Sequence, residues 1–125
     1  MNTNLLVVSN QRETAWLAIL REFLGTSGTL HIVSEAGAIG EISRTHYDLI
    51  VIDATTVQEP AKLVSRLREQ RRDARIVVLT ISPTWQEARD VLRAGAIDYF
   101  DSLDREGFTT RINSALQQPA STSSG

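Results

Sequence analysis

Asp53 is the side chain of this sequence best placed to do chemistry. It follows four large aliphatics, Leu49 to Ile52, in the stretch Tyr-Asp-Leu-Ile-Val-Ile-Asp-Ala-Thr-Thr that begins at Tyr47. A carboxylate there is costly to bury alone, so it is paired, faces a crevice, or serves a function. The plainer alternative is that it ends a strand or caps the next turn, a common use of aspartate. Other polar residues follow aliphatic runs in the same manner: Ser9 and Asn10 after Leu5–Val8, Thr80 after Ile76–Leu79, and Asp101 with Ser102 after Ala96–Phe100. The chain has no cysteine, which excludes thiol catalysis, disulfides and thiolate metal sites. No glycine-rich turn follows the first run, which argues against a dinucleotide or P-loop site. His31 and His46 lack acidic or histidine neighbours at metal-ligand spacing, and neither is placed to serve a nucleophile as its base. No catalytic residue and no metal ligand is therefore assigned.

The elements that carry these residues follow from hydrophobic patterning. Short apolar runs rich in β-branched residues, bounded by polar ones, read as strands buried on both faces. Leu5–Val8, Leu30–Val33, Leu49–Ile52, Ile76–Leu79 and the shorter Ala96–Phe100 are five such runs. Between them lie helical spacings. Trp16, Ile19, Leu20, Phe23 and Leu24 mark a first helix, with Asn10 and Glu13 as a variant capping box and Gly25 and Gly28 as its stop. A second helix is expected over Glu35–Thr45 despite Gly37 and Gly40. Pro60 opens a third, buried along Leu63, Val64 and Leu67. Thr84 and Glu87 start a fourth, turned inward at Ala88, Val91 and Leu92 and stopped by Gly95; Phe108, Ile112 and Leu116 mark a fifth.

Strands alternating with helices over short connections imply an α/β fold in three layers, a parallel five-stranded sheet with five helices covering both faces. Right-handed crossovers make the doubly wound flavodoxin-like order the simplest arrangement. That order brings the carboxyl ends of the first, third, fourth and fifth strands together, and with them Ser9, Asn10, Asp53, Thr80, Asp101 and Ser102.

A chain of 125 residues, 42% hydrophobic and 22% charged, fits one globular domain. Residues 1–118 are read as that domain, and 119–125 as a flexible Pro/Ser/Thr tail or the start of a linker. The formal net charge of −2 recruits neither nucleic acid nor an anionic membrane. No apolar run approaches the ~20 residues of a membrane span. The N-terminus lacks a secretory pattern, so cytoplasmic residence is expected.

In order and spacing, Leu-Leu-Val-Val, Tyr-Asp-Leu-Ile-Val-Ile-Asp, Arg-Ile-Val-Val-Leu-Thr and Ala-Gly-Ala-Ile-Asp-Tyr-Phe make residues 4–117 resemble the receiver domain of bacterial two-component response regulators. The resemblance implies that Asp53 stands where a histidine kinase delivers a phosphoryl group. It makes Thr80 the hydroxyl that senses that group and Tyr99 the aromatic that moves with it. The departures lie at the chemistry. Ser9 and Asn10 replace the two acids that hold magnesium, Ser102 replaces the lysine that contacts the phosphoryl oxygens, and Leu103 the proline after it. Ile81 replaces a small residue and is expected to crowd the approach to Asp53. The loop after Asp53 lacks the usual Met-Pro, its proline being delayed to Pro60.

Magnesium requires hard oxygen ligands, usually including carboxylates, so binding is expected to be weak or absent and no cofactor is assigned. Phosphoryl transfer rests on positioning and on cations that face the developing charge. Losing the acids and the lysine could remove several kcal/mol of that stabilisation, at roughly 3–4 for a single contact. The sequence thus reads as a degenerate receiver, a pseudo-receiver that signals through protein contacts rather than an enzyme. A conventional phosphoacceptor modified at Asp53, and a small-ligand-binding flavodoxin-like module, are the alternatives. Expected partners are a histidine kinase, an output domain or another receiver. The family's pairing surface would carry Arg89, Asp98, Asp101 and Arg111 around Tyr99, with Trp85 as a docking aromatic, and would suit a homodimer with acid–arginine pairs across the two-fold. Lys62, Arg66, Arg68, Arg71, Arg72 and Arg75 read as a solvated helix face rather than a nucleic-acid patch, because Glu69 and Asp73 interrupt them and no aromatics interleave.

Overall fold

A computed structural model describes residues 3–11 and 14–118. Five strands, β1 (Thr3–Val8), β2 (Gly28–Val33), β3 (Leu49–Asp53), β4 (Ile76–Thr80) and β5 (Asp98–Asp101), form one sheet in the order β2-β1-β3-β4-β5. Every neighbouring pair is parallel. Five helices connect and cover it: α1 (Ala15–Leu24), α2 (Ala38–Arg44), α3 (Pro60–Gln70), α4 (Trp85–Ala94) and α5 (Arg105–Gln117).

The aliphatic runs are continuous because both faces of each central strand are covered. Side chains alternate across the sheet, so each run feeds two separate cores. Leu6, Val8, Ile50, Ile52, Ile76 and Val78 pack against Ile42 of α2, Leu63, Val64 and Leu67 of α3, and Val91 of α4. Leu5, Val7, Leu49, Val51, Val77 and Leu79 meet Trp16, Leu17 and Leu20 of α1 and Phe108 and Ile112 of α5. The three-layer flavodoxin-like architecture is as expected.

Several local details differ from the sequence reading. Asn10 does not cap α1, which begins at Ala15 after Thr14, with no side-chain cap bond; Arg12 and Glu13 lie outside the described residues. Gly25, at φ +56°, ends α1, whereas Gly28 opens β2. A Cβ at Gly28 would stand 2.8 Å from the Thr3 carbonyl oxygen, so the close approach of β1 requires glycine there. The second helical segment is a 3₁₀ turn, Glu35–Gly37, running into α2. Leu92 is 46% exposed, so α4 turns mainly Val91 inward. β5 starts at Asp98, after the Ile97 amide has bonded the Ile76 carbonyl. The tail assigned to 119–125 lies outside the described residues.

The basic run is not simply a solvated face. Arg68 donates to the Ala74 carbonyl, Arg71 to the Ile42 carbonyl on α2, and Arg75 to the Gln118 carbonyl after α5, at 2.8–3.0 Å. Arg71 thus ties the end of α3 to α2, and Arg75 ties the start of β4 to the end of α5, near the end of the sheet opposite Asp53. No helix among the described residues is long and apolar enough to cross a membrane.

Candidate functional site

The topology gathers Ser9, Asn10, Asp53, Thr80, Asp101 and Ser102 at the carboxyl edge of the sheet, where each strand ends and a loop turns toward its helix. Asp53 is 1% exposed. The Ser9 hydroxyl lies 2.9 Å from its Oδ2, and the Thr56 hydroxyl makes a longer contact to the same oxygen at 3.4 Å. The Thr55 amide donates to Oδ1 at 3.1 Å, an Asx turn that begins the loop after β3. The carboxylate therefore caps its own turn and pairs with a neighbouring loop at once. Among the described residues no salt bridge reaches it.

The loop after β1 is knitted to this group. The Asn10 amide donates to Thr56 Oγ1 at 2.9 Å, and Asn10 Nδ2 donates to the Thr56 carbonyl at 3.0 Å. Asn10 Oδ1 accepts from the Glu35 amide at 3.2 Å, which draws in the loop after β2. Thr56 is thus a hub that sequence reasoning missed; its only signal is the hydroxyl pair Thr55-Thr56 after Asp53.

Thr80 is 4% exposed, and its hydroxyl accepts from the Ser82 amide at 3.2 Å. The Ile81 amide donates to Thr55 Oγ1 at 3.1 Å, which couples the loops after β3 and β4. The Ile81 side chain is half exposed beside a cleft of about 320 Å³ lined by Thr55, Thr80, Ser82, Thr84 and Glu87. The polar contacts to the Asp53 carboxylate come from Ser9, Thr55 and Thr56. Ser102 is 4% exposed, and its hydroxyl has no hydrogen-bond partner among the described residues. Among the described residues no group of three or more His, Cys, Asp or Glu side chains is arranged to hold a metal ion.

Tyr99 is anchored to α4. Its hydroxyl donates to Glu87 at 2.8 Å and accepts from the Thr84 amide at 3.1 Å. Partial burial, reinforced by the Glu87 carboxylate, raises the phenol above its ordinary pKa. Thr84 in turn caps α4 by accepting from the Glu87 amide at 3.2 Å. On the same side, Arg111 pairs with Asp98 within the chain at 2.8 Å and lies over the Phe100 ring. Asp101 accepts from the Leu103 amide at 2.8 Å. Trp85 is 68% exposed, with the Arg89 guanidinium stacked 5.0 Å from its ring centre.

The architecture is shared with solved structures. A response regulator from Thermotoga maritima superimposes with a TM-score of 0.80 at 21% identity, over 94% of this chain and 100% of its own. The chain has the receiver-domain fold. A two-component response regulator from Clostridium difficile gives a TM-score of 0.77 at 22% identity, over 93% of this chain and 97% of its own. A CheY-like receiver domain from Methanospirillum hungatei gives 0.74 at 17% identity, over 93% and 94%. No protein-family model and no curated protein sequence matches the chain.

Proposed function

We propose that this chain is a receiver-type signalling domain of the two-component kind that works through protein contacts, with weak or absent phosphorylation and no catalytic activity of its own. The observation that carries this reading is the enclosure of Asp53. Both of its oxygens already accept hydrogen bonds from the chain, and the carboxylate is buried. A phosphodonor would have to break these bonds with no lysine beside the site, since Ser102 stands there. Neutral Ser9 and Asn10 offer magnesium little charge, so its binding is weak or absent. The domain acts in the cytoplasm, and its partners are a histidine kinase, an output domain or another receiver.

Incubation with a small-molecule phosphodonor and magnesium, followed by intact-mass measurement, tests this directly. The expected result is no phosphoryl adduct. An adduct abolished by Asp53→Asn would establish the conventional phosphoacceptor instead, a reading that the placement of Thr80 and Tyr99 around the same edge favours.

The contact face is proposed to be α4, β5 and α5. Exposed Trp85 and half-exposed Leu92 on α4 offer it apolar surface beside Tyr99. A homodimer here would not begin with free charges, because Asp98 and Arg111 already pair within one chain. Exposed pairs are worth only ~0–1 kcal/mol, so exchanging them across a two-fold adds little and the aromatic must carry the affinity. Sedimentation across micromolar concentrations should show association that Trp85→Ala removes. A chain that stays monomeric and keeps its partner binding in Trp85→Ala would refute this face.

A further inference from the structure

We infer that Ser9, Asn10 and Thr56 form a hydrogen-bonded clamp that stands in the place of a divalent cation and holds the loops at the carboxyl edge together. The inference rests on the reading that no magnesium site is assembled here, and it gives these residues a positive role in that absence.

Each polar side-chain atom of Asn10 is committed across a loop. Its Nδ2 bonds the loop after β3 through the Thr56 carbonyl, and its Oδ1 bonds the Glu35 amide after β2. Its own amide bonds Thr56 Oγ1, and the Ser9 amide bonds the Val33 carbonyl at 3.0 Å. Ser9 Oγ completes the set with Asp53 Oδ2 at 2.9 Å and Thr56 Oγ1 at 3.3 Å. The loops after β1, β2 and β3 thus meet at one point by direct contact.

The donor set does not fit a cation. Magnesium demands near-octahedral oxygen ligands with lone pairs turned to the metal. The oxygens at this point instead face N–H donors: Asn10 Oδ1 accepts from Glu35, Thr56 Oγ1 from Asn10, Ser9 Oγ from Gln11 and Asp53 Oδ1 from Thr55. A dication would have to displace donors and bonds that already join these loops.

The clamp and the cation are exchangeable solutions, and this is testable by thermal unfolding of the full chain in chelator and in millimolar magnesium chloride. The wild type is expected to melt at the same temperature in both. Ser9→Asp combined with Asn10→Asp removes the clamp and clusters three carboxylates. It should melt lower in chelator by roughly 5–10 °C and recover with magnesium. Thr56→Val keeps the side-chain shape but loses the hub hydroxyl. It should melt lower equally in both buffers and exchange the Asn10 and Glu35 amide protons faster.

A double variant that magnesium does not restore, or that loses nothing in chelator, overturns the exchange. Unchanged amide protection in Thr56→Val overturns the clamp while leaving the reading of Asp53 intact, because phosphorylation is measured separately by mass. A wild type stabilised by magnesium overturns both the clamp and the metal-free reading.

Discussion

Ser9→Ala tests the hydroxyl that serves buried Asp53 and, at the same 2.9 Å, the Gln11 carbonyl. The substitution removes the 2.9 Å contact to Oδ2 and leaves that oxygen only the 3.4 Å contact from Thr56, at the long limit of a hydrogen bond. A hydrogen bond to a charged partner contributes about 1.5–3 kcal/mol, and a buried acceptor left short of partners costs a similar amount. The Gln11 amide and carbonyl also lose Ser9 Oγ, but Gln11 is exposed enough to turn both to water. The net expectation is about 2 kcal/mol of destabilisation. At ~2.1 cal/mol/K per residue, 125 residues give an unfolding entropy near 260 cal/mol/K, so Tm should fall by about 8 °C. Urea unfolding should show a lower midpoint with an unchanged slope, because the buried surface is the same. Ser43→Ala is the control: its hydroxyl bonds the Gly40 carbonyl on an exposed helix surface, and it should cost under ~0.5 kcal/mol. A Ser9→Ala protein within that same margin of wild type would show that Asp53 does not depend on this hydroxyl.

Other expectations test separate parts of the structure. Thr55→Val frees the Ile81 amide and should loosen the loop before α4, changing Trp85 fluorescence while costing only about 1 kcal/mol. If emission and quenching are unchanged, the two loops are not coupled through that hydroxyl. Arg71→Lys should cost about 1 kcal/mol, because an ammonium on a flexible stem does not reproduce the fixed guanidinium bond to the Ile42 carbonyl; wild-type stability would show that this bond does not hold α2 to α3. Tyr47 is pushed up to about 12 by burial and by its bond to Glu41, whose own carboxyl is held below its usual value chiefly by that same bond. The phenol's contribution is therefore full below pH ~10 and fades as pH rises through about 12, while that of Glu41 is present above pH ~4.5 and lost on acidification. Tyr47→Phe should flatten both limbs of a stability–pH curve, and parallel curves would refute the linkage.

What was legible in the sequence was set by residues whose role is local or repeated. Short continuous aliphatic runs rich in β-branched residues fit strands covered twice, so sheet, layers and the gathering of Asp53 with Thr80 followed. Gly95 and the Thr84–Glu87 cap were legible for the same reason, being complete within one helix. Asn10 was misread because its pairing with Glu13 is a local pattern, whereas the partners that hold it lie 46 and 25 residues away. Thr56 carries no signature of its own, since any hydroxyl in a loop looks alike until the loops meet. Leu92 fits a helical stripe by spacing, yet α4 sits so that the stripe ends at Val91. The arginine bonds were hidden in composition: one lysine against twelve arginines hinted that planar, multi-donor groups were wanted, but not where they reach.

The arginine bonds end on main-chain oxygens, and this sets an uneven tolerance to change. Every residue type supplies a carbonyl, so the clamps of Arg68 and Arg75 place no demand on the side chains of Ala74 and Gln118. Arg68 is constrained twice, because its stem also lies over Gly95, where an added Cβ would come within 3.1–3.4 Å of it. Exhaustive single-site substitution should therefore produce a one-sided pattern along 68–75, with Arg68, Arg71 and Arg75 intolerant and exposed Arg72 and Gln118 nearly indifferent. Covariation between the two ends of each bond should be missing, so coevolution methods would overlook contacts that physically join α2 to α3 and β4 to α5.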